Sequence, residues 1–198
     1  MSFSRIEKKL GDFVVDREDD SSIDPAASIE AIEVKTGKRL PADYTEFLVK
    51  YGGSYLESRK TTDDVEYDVC YRPIEKDPWM GEEDETQLLE FFYGLSRDSG
   101  VLSMIDTYSD RFPPEIIPIA ASPGGNEICL DLDNGCILFW DHELRNSGKD
   151  FYLIAESFEE FILRLEEERI EDNESASDDV EIEILDNDFG KLLFGKDE

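Results

Sequence analysis

Basic residues are scarce in this chain. Its 198 residues include 20 Lys plus Arg against 50 Asp plus Glu, a formal net charge of −30. Such a surface repels nucleic-acid backbones and anionic membranes, so neither is an expected partner. It attracts cationic protein surfaces, fastest at low salt. Cysteine is nearly as sparse: Cys70, Cys129 and Cys136 form no C-x-x-C pair and no even framework, which excludes a thiolate metal site and a disulfide scaffold. Cys129 and Cys136 flank a hairpin turn at Asp133-Asn134-Gly135, but a two- or three-residue loop there pairs each with a different residue. No apolar run approaches the roughly 18 residues of a membrane helix. The first residues, MSFSRIEKKLGDF, lack the apolar core of a signal peptide. The chain is expected in the cytoplasm, reduced, and its charge favours a monomer.

Catalytic groups are missing too. The single histidine, His142, stands in Trp140-Asp141-His142-Glu143. Neighbours along a strand point to opposite faces, so Asp141 and Glu143 do not make a constellation with it. The expected role is a hydrogen bond to backbone at the end of a hairpin. Asp131-Leu132-Asp133-Asn134-Gly135 fails as a calcium loop, because the glycine falls at the fifth position and the twelfth is His142. Ser122-Pro123-Gly124-Gly125-Asn126 has neither the lysine nor the following helix of a phosphate cradle. The expectation is a protein that is not an enzyme and needs no metal or cofactor.

What is present is packing grammar. Ile6 and Leu10 suggest a short helix ended by Gly11, followed by a polar linker over 16–24. Asp24 caps a helix with Pro25 in its first turn, Ile29 and Ile32 inward, and Gly37 as its stop. Next, Leu40-Pro41-Ala42-Asp43-Tyr44-Thr45-Glu46-Phe47-Leu48-Val49-Lys50-Tyr51-Gly52-Gly53 reads as a helix with Tyr44, Phe47, Leu48 and Tyr51 on one stripe. Pro41 suits its first turn, and Gly52 a left-handed closure. Strands are predicted at Tyr67–Tyr71, Leu88–Tyr93, Ile116–Ala120, Glu127–Leu132, Cys136–Trp140 and Phe151–Ala155. Ile116–Ala120 is expected at a sheet edge, since Pro118 cannot donate to a ladder. A helix over roughly 99–111 is inserted between strands and stopped by Pro113-Pro114. A last helix starts at Ser157, with Glu160 completing a capping box and Phe161, Ile162 and Leu165 inward.

The order predicts an α+β fold: an N-terminal helical hairpin, a mostly antiparallel curved sheet of about five or six strands with an inserted helix, and a C-terminal helix. Residues 1–24 are set apart as an extension, 25–169 as the domain and 170–198 as an acidic tail. Within the tail, 171–179 has the composition of disorder. Val180, Ile182 and Ile184 alternate with Glu181 and Glu183, and Phe189, Leu192, Leu193 and Phe194 form an apolar cluster expected to dock on the domain or on a partner.

Five blocks in order carry a family resemblance over roughly residues 26–166: LPADYTEFLVKYGG; Tyr93-Gly94-Leu95; Pro113–Ala120; the pair Asn126–Leu132 and Ile137–Glu143 with its W-D-H-E ending; and Ile154–Phe161. Together they resemble the SUKH superfamily, typified by the yeast Smi/Knr cell-wall regulators and many bacterial immunity proteins. One departure is Tyr51, where members usually carry Asn. The resemblance implies a non-catalytic immunity protein that sits in the producing cell and neutralises a cognate toxin domain, often a nuclease. The alternative it implies is a regulatory scaffold of the Smi/Knr type.

Charge agrees with the first. Residues 63–85 hold ten acids and two bases, and 166–188 hold twelve acids with Arg169 the one base. A nuclease carries a Lys/Arg-rich cleft for phosphates, which an acidic surface can occupy in their place. The expected contact residues are Asp63, Asp64, Glu66, Asp68, Glu82, Glu83, Asp84 and Glu85, with Trp79 as an aromatic anchor and Tyr55, Tyr67 and Tyr71 as further candidates.

Overall fold

A computed structural model describes residues 3–17, 23–62, 65–143 and 149–170. The chain opens with helix α1 (Ser4–Leu10) and strand β1 (Phe13–Arg17), then α2 (Pro25–Thr36), α3 (Ala42–Tyr51), β2 (Ser54–Ser58) and β3 (Tyr67–Tyr71). It continues through β4 (Gln87–Leu88), β5 (Phe91–Phe92), α4 (Val101–Thr107), β6 (Ile116–Ser122), β7 (Asn126–Asp131) and β8 (Ile137–Trp140), and the last described elements are β9 (Phe151–Ala155), α5 (Phe158–Leu163) and β10 (Leu165–Arg169). The fold is α+β. A seven-stranded sheet runs β1-β2-β5-β6-β7-β8-β9, and a smaller sheet runs β10-β3-β4. Every pairing is antiparallel.

The helix signals act locally. Asp24 accepts from the amides of Ala26 and Ala27 and starts α2. Pro41 lies just outside α3 rather than in its first turn, and its carbonyl accepts the first bond, from Thr45 at 2.8 Å. Gly52 is not left-handed: its φ is −60°, and its amide still bonds Phe47 and Leu48. Glycine is needed there because a Cβ would stand 2.6 Å from the Leu48 carbonyl oxygen. The left-handed residue is Gly53, at φ 78°. Ser157 caps α5 by accepting from the Glu160 amide, but the Glu160 carboxylate reaches back to Glu156, one residue before the reciprocal position. Leu165 is buried, yet it opens β10 instead of closing the helix.

The described residues form ten strands in two sheets, not one sheet of about five or six, and four local features also depart from the prediction. The segment read as a linker contains the end of β1, whose Phe13 is buried and whose pairing with β2 forms the edge of the large sheet. The predicted strand 88–93 is cut in two. The Leu89 amide bonds Val69 in the small sheet, while the Glu90 amide bonds Ala121 in the large one. Strand β6 is not at an edge but between β5 and β7. Pro118 is tolerated because β5 stops at Phe92, opposite Ala120, and because the β6–β7 register shifts between Pro118 and Ala120. The β7–β8 turn is longer than predicted: Asp131 bonds Cys136, and Cys129 stands opposite Leu138. The cysteines are free.

Alternation along β7 buries both faces of the large sheet. Ile128 and Leu130 join the main core, where Phe47 packs on Phe92 and Phe158 at ring distances of 4.7 and 5.0 Å. Cys129 turns the other way, onto Phe112 and Trp140. Ile6 and Leu10 of α1 enter the main core, so residues before 25 contribute to its packing. The tail beyond Ile170, with its predicted strand and apolar cluster, lies outside the described residues.

Candidate functional site: an acidic face on the small sheet

Strands β3 and β10 come from the two acid-rich stretches and lie side by side. Their register sets Asp68 opposite Glu168 and Cys70 opposite Glu166. Alternation sends Val69, Tyr71 and Leu165 into the core. The other face carries Asp68, Glu166 and Glu168. Like charges directly opposite one another destabilise an antiparallel pair, so this register works against the stability of the small sheet.

The surrounding cations are partly committed. Arg72 pairs with Glu85 and, at 3.2 Å, with Glu166. Lys60 pairs with Glu167 at 2.7 Å. Burial opposes ionisation of Glu167, but bonds from Lys60 and Ser58 outweigh it and hold its carboxyl below the usual range. Cys70 is buried beside this face. Burial, then the charges of Glu168 and Glu166, push its thiol up to about 12, so it offers no thiolate nucleophile near neutral pH.

The loop between β3 and β4 is organised from below by Asp77. Its buried carboxylate accepts from the Trp79 amide at 2.7 Å and from the Gln87 side chain at 2.6 Å. The loop then turns at Gly81, whose amide donates to Asp84 at 2.9 Å. Trp79 is left 66 % exposed, and Glu82, Glu83, Asp84 and Glu85 are exposed with it. An aromatic residue so uncovered on a charged loop gains little from packing in the isolated chain.

Of the predicted contact residues, Asp63 and Asp64 lie outside the described residues. Glu66 and Asp68 fall on the approach to β3 and on β3 itself, and Glu85 joins Glu166 around Arg72. Among the other aromatics, Tyr55 is exposed, Tyr67 half-buried, and Tyr71 fully buried against Phe161. Sequence reasoning missed Glu166 and Glu168 as neighbours of β3. No local signal marks Leu165–Arg169 as a strand, because three consecutive glutamates carry no apolar period.

His142 does not bond backbone as expected. Its ring Nδ1 lies 3.0 Å from the Asn126 side-chain oxygen, which also accepts from the His142 amide. The Asp131 carboxylate accepts from the Asp133 amide and the Asn134 side chain, as a turn does. Among the described residues no cluster of three or more His, Cys, Asp or Glu could hold a metal, and no helix is long and apolar enough to cross a membrane.

One further carboxyl is unusual. Glu127 on β7 is buried and accepts from Tyr93 at 2.9 Å and from Tyr108 at 2.7 Å. Burial raises its pKa to about 7, against the pull of the two hydroxyls.

Residues 26–162 match the family model described as SMI1-KNR4 cell-wall, of the SUKH group. The chain is also similar to the "SPbeta prophage-derived uncharacterized protein YokK" of Bacillus subtilis (strain 168), with 58 % identity over 188 residues, 94 % of this chain and 98 % of that one.

Proposed function

We propose, from the premise that this chain belongs to the SUKH family of SMI1-KNR4 domains, that it is an immunity protein whose acidic face occupies the basic surface of a toxin domain. The observation that carries this reading is the register of Asp68 against Glu168. A fold that needed only solubility could spread its acids over the surface. Here two acid-rich stretches about a hundred residues apart are paired strand to strand, at a cost in local stability. A cationic partner removes that repulsion on binding.

A nuclease fits as the toxin class. Its phosphate-binding cleft is rich in Lys and Arg, and carboxylates on a strand can stand where phosphates would. Electrostatic steering brings the two together quickly, and Trp79 supplies apolar contact to slow dissociation. The protein acts in the cytoplasm by binding, without turnover.

Co-expression with the product of the adjacent open reading frame tests this. The expected result is a complex whose affinity falls steeply as salt rises. It should also weaken when Glu66, Asp68 and Glu82–Glu85 are replaced by their amides. A complex indifferent to salt and to those replacements would overturn the acidic-face mechanism.

A further inference from the structure

Strand β2 is left half-paired by the way the chain changes sheets. All of Ser54–Ser58 pairs with β1, but only Ser54 meets β5, opposite Phe92. Just before β5 the chain crosses from one sheet to the other: the Leu89 amide bonds Val69 of the small sheet, and the Glu90 amide bonds Ala121 of the large one. Among the described residues no strand or bridge other than β1 pairs with Tyr55–Ser58. That stretch is therefore an unpaired sheet edge inside the strand order, with backbone groups able to accept an added strand.

A groove of about 430 Å³ runs along this edge, lined by Leu56 and Glu57 of β2, Asp68 and Val69 of β3, and Leu88 and Glu90. Along β2, Ser54 and Ser58 are buried while Tyr55 and Glu57 are exposed, so Leu56 shares the inward face, where it packs against the main core. Along β3, Val69 faces the core and Asp68 the other way. Both walls are thus apolar on the inner face and acidic on the outer. Among the described residues none of the carboxylates of Glu57, Asp68 and Glu90 has a Lys or Arg nitrogen within 4 Å. Elsewhere acids are engaged: Glu7 and Glu46 share Lys50, and Glu160 holds Arg164. A strand laid in the groove sends alternate side chains to the two faces. The segment that fits alternates apolar residues with Lys or Arg.

We infer that an extended segment of the toxin, alternating apolar with cationic residues, adds as a strand to β2 in this groove. Its apolar side chains lie against Leu56, Val69 and Leu88, and its cations against Glu57, Asp68 and Glu90. Backbone pairing holds the segment, and charge selects it. That the toxin supplies the strand rests on the proposed function; the groove's preference for such a strand does not.

Three short synthetic peptides, titrated against the full chain at physiological salt, test this without the toxin. One alternates Lys with Val, one alternates Lys with Ser, and the third is the Lys–Val peptide N-methylated throughout, which keeps side chains and charge but loses its backbone donors. Burying a single valine is worth a factor of roughly ten in affinity. The Lys–Val peptide should therefore bind at least that much tighter than the Lys–Ser peptide, and N-methylation should remove the gain. Hydrogen–deuterium exchange should slow within Tyr55–Ser58 when the Lys–Val peptide is bound. Equal binding of the Lys–Val and Lys–Ser peptides, an affinity unmoved by N-methylation, or protection confined to other segments would each overturn the inference. A salt-dependent toxin complex on the acidic face survives any of those results, and a salt-indifferent one leaves the peptide result standing, so the two proposals fail separately.

Discussion

Glu127 and Asp68 both stand on interior strands of antiparallel sheets, and the fold treats them in opposite ways. Glu127, on the large sheet, is buried, and two tyrosine hydroxyls satisfy its oxygens. Asp68, on the small sheet, faces outward against Glu168 without a cation within 4 Å among the described residues. A polar group inside the large sheet must be bonded, because an unpaired one there costs about 1–3 kcal/mol. On the small sheet water screens the repulsion to within about 1 kcal/mol, a cost that a binding function can sustain. Large-sheet polarity serves the fold, and small-sheet polarity is left at the surface.

The widest separation between the two regions should appear in stability. Phe47 is fully buried among Tyr51, Phe92 and Phe158. Phe47→Ala should lower the unfolding free energy by about 3–5 kcal/mol, measured by urea denaturation. A loss under 1 kcal/mol would break the comparison, since the aromatic cluster would then carry no more weight than a surface charge.

Glu127 sharpens it through pH. The folded carboxyl keeps its proton up to about 7, whereas an ordinary glutamate releases it near 4.5. Between those values the folded state binds more protons than the unfolded one, so this group's contribution falls as pH rises and stays lost above about 7. The shift corresponds to something on the order of 3 kcal/mol across the window. Glu127→Gln retains an acceptor for a tyrosine and cannot ionise. The difference in stability between variant and parent, followed from pH 4 to 8 by denaturant titration, should therefore move in the variant's favour with rising pH. A flat difference would mean that Glu127 titrates normally despite its burial.

How far the sequence reveals this contrast depends on the range of the interactions. The starts of α2 and α5 were legible because Asp24 and Ser157 act on amides two or three residues away. Strand β9 and strand β3 were legible from dense aromatic and branched residues. Ser54–Ser58 and Leu165–Arg169 were not, because their strand state is imposed by partners distant in sequence. The acid-rich stretches were visible as composition. That they are adjacent is a property of sheet order, which no local pattern encodes. Pro118 misled for a related reason: it signals an edge only if the neighbouring strand is long enough to reach it.

A smaller effect of opposite sign is expected on the small sheet. Asp68→Asn keeps the shape of the side chain and removes the charge–charge repulsion with Glu168. It should stabilise the chain by roughly 0.2–1 kcal/mol at low salt, and the gain should shrink as ionic strength rises. Thermal unfolding at two salt concentrations measures both. Destabilisation would show that Asp68 has a structural partner, and the contrast with Glu127 would dissolve.

The smallest change in stability belongs to Trp79, and there it is the contrast between two measurements that counts. The ring is 66 % exposed, while its backbone amide is held by Asp77. Trp79→Ala leaves that amide in place, so unfolding should shift by no more than about 0.5 kcal/mol. If the acidic loop is a binding surface, the same substitution removes an anchoring ring and should weaken partner affinity by 2 kcal/mol or more, roughly thirtyfold, chiefly through faster dissociation. Neutralising Glu82–Glu85 should instead slow association and reduce its salt dependence. A Trp79→Ala chain that unfolds early but binds its partner normally would place the ring among the fold's own packing. A stable chain with faster dissociation would place it in the interface, and only that result separates a surface left charged for a partner from one left charged by indifference.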